Sequence, residues 1–253
     1  MRNGMAGAII GLIIGVTSEA SVAGTFDVVA DFNNTGSQPA AGNPFTYGTE
    51  TSLNTGFALF PNFQANGTCS VGSGQCTTDG TMANYYISQP ISGPSVGKVA
   101  TGGPLNFAGF FTVPTNVLAM LPGAVSLGTP DIVVTRFTAP TAGLFDITGS
   151  FTDLEAASVS LAVLVNGTTA FSGGFPGNRG TIPFSINDVF LAQGMTIDFA
   201  IDSLGAREND VLGLTAQITE TPVPAALPLF ATGLGALGLL GWRRKKKTTG
   251  VAA

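Results

Sequence analysis

The chain has 253 residues, with 10 Lys and Arg against 15 Asp and Glu, 35 Gly, 15 Pro, two Cys and no His. The missing His removes His-dependent triads and the commonest metal ligand, and so much Gly and Pro suits short strands and tight turns better than packed helices. Residues 24–221 hold 4 basic and 14 acidic side chains, a net charge of −10 that repels phosphate backbones and argues against a nucleic-acid partner.

The N-terminus reads Met-Arg-Asn-Gly-Met, then an apolar run of eleven residues from Ala6 to Val16, then Thr17, Ser18 and Glu19. A run this short does not cross a hydrocarbon core of about 30 Å. Ser21-Val22-Ala23 offers the small residues at which a signal peptidase cuts. Residues 1–23 therefore predict a secretory signal removed after Ala23, with signal peptidase as partner. Residues 24–221 are long enough for one large β-sandwich or two small domains.

Phe26, Val28, Ala30 and Phe32 alternate with Asp27, Val29 and Asp31, which predicts a half-buried strand. Residues 36–128 are rich in Gly, Pro and Asn, with weak alternation at Phe57–Phe60 and Asn106–Val113. They predict edge strands and long loops covering one sheet. Alternation is then strong in Phe145–Thr152, Val159–Val165, Ile182–Ile186, Met195–Asp202 and Leu212–Ile218. Six or seven antiparallel strands between Asp131 and Glu220 follow, at the spacing of a sandwich. Asn166-Gly167 tolerates the positive φ of a type I′ turn, so Thr168 to Ser172 should return antiparallel to Val159–Val165.

Cys69 and Cys76 enclose Ser-Val-Gly-Ser-Gly-Gln. In an exported chain this predicts a short-loop disulfide rather than a zinc site, which needs more ligands. Asp202, Glu208, Asn209 and Asp210 gather oxygen atoms on one turn and form a candidate Ca²⁺ loop, with a plain polar turn as the alternative. A hydrolase would draw two facing carboxylates from Asp146, Asp153, Glu155, Asp198 and Asp202; solvated surface acids are the simpler account. No nucleophile elbow or phosphate loop occurs, so no catalytic residue and no cofactor is assigned. Tyr47, Tyr85 and Tyr86 suit either a saccharide platform or padding within a sheet.

The far end reads Thr221-Pro222-Val223-Pro224-Ala225-Ala226-Leu227-Pro228, then Leu229 to Trp242 without a charge, then Arg243-Arg244-Lys245-Lys246-Lys247. From Ala225 the uncharged run is 18 residues long, enough to cross a bilayer. The five cations stop transfer and leave the C-terminus inside. The sequence predicts one transmembrane helix over about 227–242, a basic stop at 243–247 and a cytoplasmic end at 248–253.

Val223-Pro224-Ala225-Ala226, the Gly- and Leu-rich run to Gly241 and the basic cluster resemble the PEP-CTERM sorting segment, in its Val-Pro-x-Pro-Ala-Ala form. The same segment is also known as an ice-binding protein C-terminal domain. The resemblance implies a sorting segment at 222–247, recognition by an exosortase-type membrane protease at Val223–Ala226, removal of the helix and delivery to an exopolysaccharide-rich surface. The stretches Asn43-Pro44-Phe45-Thr46-Tyr47-Gly48, Val134-Thr135-Arg136-Phe137-Thr138-Ala139-Pro140 and Ile197-Asp198-Phe199-Ala200 are similar to a group of uncharacterised exported bacterial domains. That resemblance implies a jelly-roll-like sandwich of the type seen in carbohydrate-binding modules. Together these lead to an all-β antiparallel ectodomain, held briefly in the inner membrane and then placed at the cell surface or matrix, where it binds polysaccharide without catalysis. The alternatives are a secreted polymer hydrolase and an ice-binding or adhesion module.

Overall fold

The computed structural model describes residues 24–69, 77, 80–87, 93–123, 128–205 and 210–221, all within the compact unit Ala23–Thr221. Ala23, Cys76, Glu208, Asn209, the motif Val223–Ala226, the helix at 227–242 and Arg243–Lys247 lie outside the described residues. So does the side chain of Cys69. No described helix is long and apolar enough to cross a membrane.

Every element among the described residues is a strand: β1 (Thr25–Asp27), β2 (Phe45–Glu50), β3 (Ala58–Leu59), β4 (Asn62–Cys69), β5 (Gly80–Tyr86), β6 (Ser95–Gly102), β7 (Leu105–Phe107), β8 (Phe111–Val113), β9 (Leu118–Leu121), β10 (Ile132–Thr138), β11 (Gly143–Asp153), β12 (Ser158–Val165), β13 (Thr168–Pro176), β14 (Thr181–Leu191), β15 (Thr196–Asp202) and β16 (Leu212–Thr221). An eight-stranded sheet runs β14-β11-β16-β9-β6-β5-β4, with β1 also on β16. A six-stranded sheet runs β13-β12-β15-β10-β2-β3, and β7 and β8 pair by themselves. Every pairing is antiparallel. The protein is an antiparallel β-sandwich, as the alternation predicts.

Alternation decides which side chains face inward. Phe45 and Tyr47 of β2, Val133 and Phe137 of β10, Phe145 and Phe151 of β11 and Phe199 of β15 join one buried cluster between the sheets. Their neighbours Ile132, Val134 and Ala200 belong to a separate cluster with Ala162, Leu164 and Phe57. That second cluster occupies the outer face of the six-stranded sheet. A third, including Met82, Val99, Leu105 and Leu121, lies where the β7–β8 hairpin covers β5, β6 and β9.

The seven strands β10–β16 match the expectation for Asp131–Glu220. Asn166 (φ 46°) and Gly167 (φ 77°) form the left-handed turn between β12 and β13, with Val165 opposite Thr168. Two expectations need correction. The alternation at Phe26–Phe32 does not continue as a strand past Asp27. Asp27 Oδ1 accepts the N–H groups of Val29 and Ala30, and Asp31 Oδ2 accepts that of Asp27, so local side-chain bonds replace the ladder. Val28 and Phe32 still reach the core. Residues 36–128 also do more than cover a sheet: β2 lies inside the six-stranded sheet between β10 and β3, and β4, β5, β6 and β9 complete the eight-stranded one.

Candidate ligand-binding face

The outer face of the six-stranded sheet carries an ion-pair network that residue spacing does not reveal. Arg136 on β10 stands opposite Asp198 on β15 and Thr46 on β2. Its Nε and Nη2 donate to the two Asp198 oxygens at 2.6 and 2.9 Å, a bidentate fork. Nη2 also reaches Glu50 Oε1 at 3.4 Å, while Glu50 Oε2 accepts the Asn54 N–H at 2.7 Å. The Glu50 and Asp198 side chains are 1 % and 2 % exposed. Burial pushes the Glu50 carboxyl above its usual range, and Asp198 adds to this, against the Asn54 bond and Arg136.

The loop from Thr51 to Phe57 folds back over this network. The Arg136 guanidinium carbon lies 3.8 Å from the centre of the Phe57 ring, a cation–π contact that hides one ring face from water. Gly48 permits the approach: a Cβ there would stand 2.2 Å from the Ala58 carbonyl oxygen and 3.0 Å from the Phe57 ring. Phe57 also lines an open cleft of about 630 Å³ with Phe26, Leu59, Pro140 and the amides Asn43 and Gln193. None of the described residues lining it is charged. Asn43 is a strut, donating to the Asp31 carbonyl and accepting the Phe45 N–H. Leu53 of the same loop lines a hollow of about 250 Å³ with Ser160, Thr169, Ser172 and Asp202.

The residues singled out by sequence are scattered. Tyr47 is fully buried, its hydroxyl accepting the Asn33 N–H at 3.0 Å, and its ring lies 5.0 Å from those of Phe32 and Tyr85. Tyr85 is 1 % exposed, so these two are core and not platform. Asp146 caps Asp188, Asp153 accepts the N–H groups of Glu155, Ala156 and Ala157, and Asp198 holds Arg136. Asp202 accepts the Leu204 N–H, and burial and nearby Asp131 raise its pKa. Asp210 instead neighbours Glu155 and Asp153. Among the described residues no group of three acidic or sulfur ligands is placed to hold a metal.

No known family and no curated protein matches this chain. Among solved structures it is similar to a family 35 carbohydrate-binding module from Clostridium thermocellum, with 12% identity, 54% of this chain and 90% of that one covered, and a TM-score of 0.25. It is also similar to the C-terminal CBM6 of LamC, a marine laminarinase from Zobellia galactanivorans, with 11% identity, 70% and 99% coverage and a TM-score of 0.23. A third is a Podospora anserina β-(1,4)-mannanase carrying a family 35 module, at 16% identity and TM-score 0.27, where 58% of this chain covers 28% of that one. At this distance the likeness says nothing of ligand or chemistry.

Proposed function

We propose that this is an exported, non-catalytic surface or matrix protein whose jelly-roll-like sandwich binds a neutral exopolysaccharide in the cleft beside Phe57. The observation that carries the binding reading is the cleft itself. Its volume lies in the range of small-ligand sites, aromatic and proline rings supply flat apolar surface, and the Gln193 amide and the hydroxyls of Thr46 and Thr138 sit among them. A sugar ring presents the complementary surfaces, C–H faces to stack on rings and hydroxyls to pair with amides. The uncharged lining and the net charge of −10 over residues 24–221 disfavour an acidic polymer.

Phe57→Ala is expected to weaken binding of neutral polysaccharide by roughly tenfold or more, about 1.4 kcal/mol, measured by titration calorimetry. Gln193→Ala removes one amide without touching Arg136 and should cost a few-fold. Equal affinity in all three proteins, or no saturable binding to any neutral glycan, would sink this assignment.

The sequence supports the rest of the proposal. Residues 1–23 direct export through signal peptidase, and the tail holds the precursor in the inner membrane, C-terminus inside. An exosortase-type protease then processes it at Val223–Ala226. The mass of the surface form is expected to end near Val223. A surface protein intact through Lys247 would make the tail an ordinary anchor.

A further inference from the structure

Phe57 lines the cleft, and the chain around it gives its ring little directional support. Gly56, just before it, takes a φ of 71°, a conformation that glycine enters without steric cost. The strand that follows, β3, has two residues. The ring packs against the cluster of Ile132, Val134 and Ala200, but apolar contact is non-directional and does not fix the plane of a ring.

The Arg136 guanidinium supplies that direction. It is held from two sides, by the fork on Asp198 at 2.6 and 2.9 Å and by Glu50 Oε1 at 3.4 Å, on the strands β15 and β2 that flank β10. A bidentate fork fixes the plane of a guanidinium, and such a plane stacks on an aromatic face. Here its carbon lies 3.8 Å from the centre of the Phe57 ring. Glu50 ties the same network to the loop, since its other oxygen accepts the Asn54 N–H. Asn54 in turn lies against the β12–β13 turn, where a Cβ on Gly167 would stand 2.6 Å from its Nδ2. None of Arg136, Glu50 and Asp198 lines the cleft.

We propose that Arg136 is the positioning residue of this cleft: it touches no ligand, and it holds the Phe57 ring in the orientation that a sugar face meets. The proposal rests on the cleft being the glycan site. A ring already oriented before binding has less freedom to lose when the ligand arrives, and such preorganisation raises affinity without adding a contact. Lysine at 136 would keep the charge, but as a compact charge on a flexible stem it presents no plane. The ring could then tilt, and the ligand would have to order it. The affinity of the cleft is therefore governed by an ion pair that the ligand never meets.

Titration of laminaritetraose, mannotetraose and cellotetraose into the full chain, in micelles of a detergent without a sugar headgroup, tests this as a double-mutant cycle. With the sugar that the parent binds best, Arg136→Lys should weaken affinity roughly threefold to fivefold. Phe57→Ala should weaken it roughly tenfold or more, and adding Arg136→Lys to Phe57→Ala should cost nothing further, because no ring is left to hold. Leu212→Ala opens a cavity in the core on β16 and lowers stability away from the loop, so its affinity should match the parent's. Parental affinity in Arg136→Lys, losses that add in the double variant, or an equal loss in Leu212→Ala would overturn the proposal and leave the cleft reading in place. Parental affinity in Phe57→Ala, or no binding of any of the three sugars, would remove the cleft reading and this proposal with it.

Discussion

Arg136→Leu is expected to lower stability by about 3 kcal/mol, because breaking a buried ion pair strands charge that water cannot reach. For a domain of this size that is a fall in melting temperature of roughly 6 to 12 °C. Two carboxylates lose their cation at once, Glu50 and Asp198, and Phe57 loses the group stacked on its ring. Arg136→Lys keeps the charge but neither the fork nor the flat stack, so it should fall between the two. Glu50 already sits above its usual range, and losing the guanidinium pushes it higher. The defect should therefore be largest at alkaline pH and shrink as pH falls and the carboxyl protonates. Adding Glu50→Gln and Asp198→Asn to Arg136→Leu should recover most of the loss. Thermal melts across pH decide it: an unchanged melting temperature in Arg136→Leu would mean that the network holds nothing in place.

The fold was legible where one face of a strand is apolar and the other polar. Phe145–Thr152, Met195–Asp202 and Leu212–Ile218 obey that rule and are β11, β15 and β16. It misled at Phe26–Phe32, where the right periodicity was present but Asp27 and Asp31 offered the backbone nearer partners. β2 hid for the opposite reason. All six of its residues are buried, the polar Thr46, Thr49 and Glu50 among them, so its polar positions do not mark a solvent face. The candidate site was hidden for a related reason. Glu50, Phe57, Arg136 and Asp198 are brought together by pairing across β2, β10 and β15 and by one loop fold, and their spacing along the chain carries no trace of it. For Tyr47 and Tyr85 the sequence left both a saccharide platform and padding open, and the structure takes the second: both rings fill the space between the sheets.

Stability should rise as pH falls from 8 to 5, and Asp210→Asn should remove most of that rise. Asp210 is 1 % exposed and its Oδ2 has no hydrogen-bond partner among the described residues. Burial raises its pKa most and the charges of Glu155 and Asp153 add to this. The bond accepted from the Ser158 N–H only partly opposes them, and the result is a pKa of about 7. Glu155, which accepts the Val211 N–H, is also raised, chiefly by burial and with a contribution from Asp153, while Arg179 pulls it down. In the unfolded chain Asp210 titrates near the ordinary value of 3.8. The folded state therefore holds a proton that the unfolded state has released between those two values. The stability this contributes is complete below the lower pKa and is lost as pH rises through about 7. The span corresponds to about 4 kcal/mol at most, and Glu50 and Asp202, also raised, act in the same direction. Asparagine at 210 keeps an acceptor for Ser158 and is neutral at every pH. The variant should melt well above the parent at pH 8, by less at pH 5, and level with it only below about pH 4, where the unfolded chain also holds the proton. Parallel curves for the two proteins would show that Asp210 is hydrated and ionised in the fold, and the orphaned oxygen would then need another partner.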